Sequence, residues 1–212
     1  MMSDDWLVYL VTDPVLVATG MDEASIVDRA CGAGVRIVQY RDKNCSDSDF
    51  VRRGRELLAI ARRHGATFIV NDRVAAAVEI GADGVHIGQQ DMPLSVARRL
   101  TGSSAIIGVS VVSVAEAVSA CADGADYVAV NGVFPTATKS LDEANLPGLD
   151  AVRAISAAVS VPVVAIGGIN AGNAASVMAA GASGVAVVTA ITMRPDVEQA
   201  VGELFESTRR SI

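Results

Sequence analysis

Short apolar runs recur along this chain, and nearly every one stops at a cluster of charged, amide or hydroxyl side chains. Val35–Val38 leads into Gln39-Tyr40-Arg41-Asp42-Lys43, Thr67–Val70 into Asn71-Asp72-Arg73, and Gly84–Gly88 into Gln89-Gln90-Asp91. Ala105–Val109 precedes Ser110, and Tyr127–Phe134 precedes Thr136-Ala137-Thr138-Lys139. Val163–Ile166 runs into Gly167-Gly168-Ile169-Asn170, and Val185–Val188 into Thr189. Apolar runs this short, separated by helix-like stretches, read as parallel strands buried on both faces. The polar clusters then mark the strands' carboxyl ends, where function gathers in such sheets and barrels.

Counting the alternations predicts strands near 6–11, 35–40, 67–70, 84–88, 105–110, 126–131, 162–166 and 184–188. Helices are expected near 22–32, 46–63, 74–80, 93–100, 113–122, 149–158, 171–180 and 195–209. Ser46 with Asp49, Ser113 with Glu116, and Pro93 and Pro195 supply helix-start chemistry. A Gly-Ala or Ala-Gly phrase recurs just before strands, at Gly32-Ala33, Gly81-Ala82, Gly124-Ala125 and Gly181-Ala182. Glycine there can close a helix in the left-handed conformation, which fixes the phase of the alternation. Eight such units favour a closed (β/α)8 TIM barrel over an open sheet, and residues 1–212 read as a single α/β domain.

Composition narrows the partners. A net charge of −7 argues against nucleic acid and against an anionic membrane surface. Anionic ligands must therefore be drawn in by local cations, helix N-termini or metal ions. The three cysteines, Cys31, Cys45 and Cys121, are scattered and lack a C-x-x-C pair, as expected of reduced thiols in a cytoplasmic protein. No signal-like segment precedes Trp6. Residues 174–193 carry no charge and would be long enough to cross a bilayer, but Gly181 and Gly184 break them up. The segment reads as a buried helix and strand. The uncharged helix near 171–180 is a candidate contact in a homo-oligomer, and the 136–148 connection is a candidate lid.

At the second strand, alternation puts Gln39, Arg41 and Lys43 on one face, pointing into the barrel mouth. Guanidinium and ammonium together suit a diphosphate, while a structural ion pair of Arg41 with Asp42 or a neighbouring acid is the alternative. Asp72 and Asp91 follow neighbouring strands and could hold Mg²⁺ with substrate phosphates. They could equally act as an acid/base pair or cap the helices that follow. Asn71 could donate to a phosphate oxygen. Gly167-Gly168 and Thr189 follow the last two strands, where this fold often binds phosphate through backbone N–H groups. Thr136, Thr138 and Lys139 suit an anionic substrate between these two regions, with Ser110 completing the ring. His64 reads as part of a helix-closing turn, and His86 as a packed core residue.

At these residues the chain resembles the thiamine-phosphate synthase (thiamine-phosphate pyrophosphorylase) family over nearly its whole length. The landmarks are Gln39 to Lys43, Asn71-Asp72, Val85 to Gln89 with Asp91, Gly108-Val109-Ser110, Phe134 to Lys139, Gly167-Gly168-Ile169 and Val188 to Ile191. The resemblance implies a transferase of thiamine biosynthesis. Such enzymes join 4-amino-2-methyl-5-hydroxymethylpyrimidine diphosphate to 4-methyl-5-(2-phosphoethyl)thiazole, or its carboxylated form, releasing pyrophosphate. It implies that Gln39, Tyr40, Arg41, Asp42, Lys43, Asn71, Ser110 and Lys139 bind the pyrimidine diphosphate, with Arg41, Lys43, Ser110 and Lys139 catalytic. Asp72 and Asp91 would hold Mg²⁺. Thr136, Ala137, Thr138, Gly168, Val188 and Thr189 would bind the thiazole phosphate. The chain departs from the family pattern at Thr189 (often serine), Asn131-Gly132 (often Gly-Pro) and Val112 (often histidine). A thiazole tautomerase of the same fold and a non-catalytic thiamine-phosphate binder are the alternatives.

Overall fold

Eight short parallel strands hydrogen-bond in chain order, and the last closes on the first. The computed structural model describes residues 3–18, 20–136 and 146–209. The strands are β1 (Val8–Val11), β2 (Ile37–Tyr40), β3 (Thr67–Asn71), β4 (Gly84–Ile87), β5 (Ile106–Val111), β6 (Tyr127–Asn131), β7 (Val163–Ile166) and β8 (Gly184–Val187). Around them run α1 (Glu23–Gly32), α2 (Asp47–Arg63), α3 (Val74–Ile80), α4 (Leu94–Thr101), α5 (Val114–Ala122), α6 (Gly148–Ala158), α7 (Ala174–Ala179), α8 (Thr189–Thr192) and α9 (Val197–Arg209). The barrel and the order of its elements are those the hydrophobic pattern predicts.

Two helical details differ. The pattern missed α8, which begins directly after β8 and is too short to show a period. It also started α7 too early. The Asn170 side chain accepts from the Gly172 N–H (2.8 Å), and the Asn173 side chain accepts from the Asn170 N–H (2.8 Å). These side chains satisfy the backbone in a turn, and the helix begins only afterwards. Ala174, Val177 and Met178 of α7 are buried, and the helix packs against α9. Among the described residues, no helix is long and apolar enough to cross a membrane.

Successive strand residues point alternately inward and outward. Leu10, Val38, Val70, Val85, Ile107 and Val128 face the helices in one large apolar cluster. Tyr9, Val11, Ile37, Ile69, Tyr127, Ala129, Val164 and Ala186 fill the barrel interior. Trp6, from a short 3-10 turn at Ser3–Trp6, seals the amino end with its ring centroid 4.9 Å from that of Tyr127. Interior volume is scarce, and three inward positions are glycine for that reason. A Cβ on Gly108 would overlap the Tyr127 ring, and one on Gly184 the Trp6 carbonyl. A Cβ on Gly84 would meet the Ile106 carbonyl. Gly108→Ala is expected to lower stability by about 1–3 kcal/mol, the usual cost of overpacking. Chemical denaturation should show the loss with an unchanged m-value.

Candidate active site at the carboxyl ends

The carboxyl ends of the strands surround a cavity of about 1080 Å³. That volume is enough for two small substrates side by side. Gln39, Arg41, Lys43, Asn71, Asp72, Asp91, Ser110, Thr136, Gly168, Val188 and Thr189 all line it. Ala137, Thr138 and Lys139, with most of the expected lid, lie outside the described residues.

Tyr40 and Asp42 do not join Gln39, Arg41 and Lys43. Tyr40 points outward, stacked on Phe50 at 4.2 Å and near Phe68 at 6.2 Å. Asp42 is buried, accepting from the Asn44 N–H (2.9 Å), the Cys45 N–H (3.2 Å) and Arg53 (3.3 Å). It shapes the turn that presents Lys43. The ion pair weighed between Arg41 and Asp42 is therefore not formed, because adjacent residues at a strand end face opposite ways. The neighbouring acid that Arg41 pairs with is Asp13, to which it donates at 2.7 Å, and its backbone N–H donates to the Thr12 hydroxyl at 3.2 Å. Behind Thr12 lies Glu23, whose Oε1 is buried without a hydrogen-bond partner. Burial, partly countered by a hydrogen bond with Thr12, pushes the Glu23 carboxyl up to about 7.

Asp72 and Asp91 meet from neighbouring strand ends, within hydrogen-bonding reach of each other. Burial, then the hydrogen bond and charge of Asp91, hold the Asp72 carboxyl above the usual range, while Lys43 pulls it back. Lys43 Nζ stands 3.7 Å from Asp72, too exposed to neutralise the pair. Neither carboxylate caps a helix: α3 and α4 begin without side-chain caps, and Asp91 accepts from the Gly88 N–H at 2.7 Å. Asp72 also has φ +59°, the sole positive φ among described non-glycine residues. That backbone aims its carboxylate at Asp91. Among the described residues no set of three or more His, Cys, Asp or Glu gathers as a metal cage. Two crowded hard-oxygen donors nevertheless fit Mg²⁺, which takes one or two carboxylates and completes its shell with water and phosphate.

On the far side, the loops after β6 and β7 press together. A Cβ on Gly168 would overlap the Pro135 carbonyl, and one on Gly167 would come within 2.9 Å of Gly132 Cα. Gly168 has φ +61°, and its carbonyl accepts from the Asn173 amide at 3.0 Å. Val188 and Thr189 flank this backbone where α8 begins. The expected departure at Asn131-Gly132 also has a shape here. Gly132 turns with φ +77°, and Asn131 donates to Ser110 Oγ at 3.0 Å.

Sequence reasoning missed five residues at the site. Thr12-Asp13 follows the first apolar run just as the other clusters follow theirs, so the same signal could have found it. Asn131 ends β6 with inward parity. Gln89 donates to the Ser110 carbonyl at 2.7 Å. His86, read as packed core, is buried but lines the cavity and shares a 2.8 Å hydrogen bond with Ser110 Oγ. His64 does close α2, paired with Asp28 at 2.8 Å.

A model of the thiamine monophosphate synthase family matches residues 8–191, which span all eight strands. The chain is 47% identical over 200 residues to the thiamine-phosphate synthase of Chloroflexus aurantiacus, covering 94% of this chain and 91% of that protein. It is 45% identical over 198 residues to that of Methanoregula boonei, covering 93% and 91%. Among solved structures, the thiamine phosphate pyrophosphorylase of Pyrococcus furiosus superposes with a TM-score of 0.89 at 37% identity, covering 99% of this chain and 98% of that one.

The crowded carboxylates and the buried Glu23 each give a stability prediction. Asp72→Asn keeps a residue that accepts positive φ and removes the repulsion. In metal-free buffer at pH 7 it should raise stability by about 1 kcal/mol, or roughly 2–4 °C in Tm. For Glu23 the folded pKa is the higher one, so the folded state holds the extra proton. Its stabilising contribution is complete below the unfolded pKa of about 4.3 and is lost as pH rises through about 7. Glu23→Gln should therefore match the parent at pH 4 and exceed it at pH 8, by on the order of 2 kcal/mol in denaturation midpoints.

Proposed function

The chain belongs to the thiamine monophosphate synthase family, and on that premise we propose that it is a thiamine-phosphate synthase. It joins the aminopyrimidine diphosphate to the thiazole phosphate and releases thiamine phosphate and pyrophosphate. One observation carries this reading beyond family membership: a single cavity has a cationic wall at Arg41 and Lys43, a glycine-backbone wall at Gly168 and Thr189, and two carboxylates between. Such a cavity suits two phosphorylated partners, one of which loses a diphosphate.

In this reading Arg41 forks onto the leaving diphosphate, held in place by Asp13 and Thr12, and Lys43 adds a mobile charge. Asn71 donates to a phosphate oxygen, and Lys139 adds a further cation from beyond the described residues. Asp72 and Asp91 would hold Mg²⁺, which would supply charge neutralisation for the leaving group. As the carbon–oxygen bond breaks, the electron pair departs with pyrophosphate, and the thiazole nitrogen bonds to the pyrimidinylmethyl carbon. No strong base is needed. Gly168, Val188 and Thr189, with Thr136 and the Ala137-Thr138 segment, seat the thiazole phosphate so that its nitrogen faces that carbon. Residues 1–212 then act as one domain, in the cytoplasm, where the free cysteines stay reduced.

The test is pyrophosphate release from the purified protein with the pyrimidine diphosphate and Mg²⁺, with and without thiazole phosphate. Release that needs both substrates and the metal, matched by thiamine phosphate, is the expected result. Tight binding of thiamine phosphate without release would favour a non-catalytic binder, and neither would leave only the fold. Asp72→Asn and Asp91→Asn should each cut turnover by about 10²-fold or more, the loss of roughly 2.7 kcal/mol of electrostatic stabilisation. Normal rates in both variants would remove the metal site from the reading.

A further inference from the structure

Along the floor of the cavity runs an unbroken file of hydrogen bonds, buried up to its last link at Ser110, that the reaction itself does not call for. Gln39 Nε2 donates to the Tyr9 hydroxyl at 2.8 Å, and the Tyr9 and Tyr127 hydroxyls are 2.9 Å apart. Tyr127 meets His86 Nδ1 at 2.9 Å, and His86 Nε2 meets Ser110 Oγ at 2.8 Å. Only the two ends, Gln39 and Ser110, belong to the expected substrate-binding set. Burial raises both tyrosine pKa values, so each phenol keeps its proton.

Each phenol carries one proton, and a neutral imidazole carries one N–H. A file of such groups can be ordered in two directions only. With Gln39 Nε2 donating, Tyr9 donates to Tyr127, Tyr127 to His86 Nδ1, and His86 Nε2–H to Ser110. Ser110 Oγ already accepts from Asn131 at 3.0 Å. Its own proton is then left for the cavity, while Gln39 offers its carbonyl. Reversing the file turns the Gln39 amide, so that Gln39 offers N–H and Ser110 offers lone pairs.

We propose that Tyr9, Tyr127 and His86 are positioning residues that lock Gln39 as an acceptor and Ser110 as a donor together, selecting a heterocycle with an amino group facing Gln39 and a ring nitrogen facing Ser110. A 4-aminopyrimidine has that pattern, and its 4-oxo analogue has the reverse. The proposal rests on the synthase reading for its substrate, but the proton order can be read without turnover.

Tyr127→Phe cuts the file in the middle and keeps the ring against Trp6; Tyr9→Phe cuts it one step earlier. In the parent, kcat/KM for the 4-amino diphosphate should exceed that for the 4-oxo analogue by about 10²-fold or more, because a hydrogen-bonding site rejects mismatched polarity strongly. Each single variant should lower that ratio by about 10-fold, and the double variant should be no worse than either, since a file is cut once. A ratio unchanged in the single variants, or equal losses for both pyrimidines, would overturn the proposal. Independently, the chain has two histidines, so ¹⁵N spectra of His64→Gln report His86 alone. Protonation at Nε2 only, becoming mixed in Tyr127→Phe, is expected. Protonation at Nδ1, or at both nitrogens, would overturn it. If the Nε2 form is found but no thiamine phosphate is made, the synthase reading fails and the proton order stands.

Discussion

Closing short parallel strands into a ring leaves no sheet edge, but it encloses a narrow interior that the inward side chains must fill without collision. The rest of the molecule follows from how that space is shared. Trp6 and Tyr127 take the lower part, and glycines at 84, 108 and 184 surrender theirs. Above them the interior turns polar, with phenol, imidazole, amide and hydroxyl groups in one file. Buried polar groups are costly when unpaired, yet here each link is of ordinary hydrogen-bond length, 2.8–2.9 Å. The floor of the cavity is thus rigid and already hydrogen-bonded before any ligand arrives.

The electrostatics above that floor are divided. The chain is acidic overall, at −7, so attraction of anions has to be local. Arg41 is restrained by Asp13, which fixes its direction without saturating its five donors. Asp72 and Asp91 are the opposite case, two like charges pressed together with an exposed lysine beside them. The first arrangement is settled when empty. The second is satisfied only when positive charge enters.

The fold was legible because eight apolar runs, each ending in polar residues, leave few other architectures. Parity along the strands placed Gln39, Arg41 and Lys43 correctly in the mouth. The same parity turns Tyr40 and Asp42 away from it, which a family motif read as one block does not show. His86 is buried as the sequence suggests, and its inward parity is visible there, but its hydrogen bond to Tyr127, 41 residues away, is not. Asp13 was open to the same signal as the other clusters, since it follows the first apolar run, whereas Glu23 sits in the first turn of α1 and its burial behind Thr12 leaves no mark on a single sequence. The short α8 and the asparagine-braced turn before α7 are products of local hydrogen bonding, too brief for periodicity to report.

The Gly108–Tyr127 contact also constrains how this barrel can drift. The ring of Tyr127 occupies the volume that any side chain at 108 would need, so neither position is free to vary first. A methyl group at 108 meets a filled space, and a smaller residue at 127 opens a void beneath Trp6 and cuts the polar file. Lineages that change one must pass through a weakened intermediate or change both together. The two sites should therefore behave as one inherited unit, even though they sit on different strands.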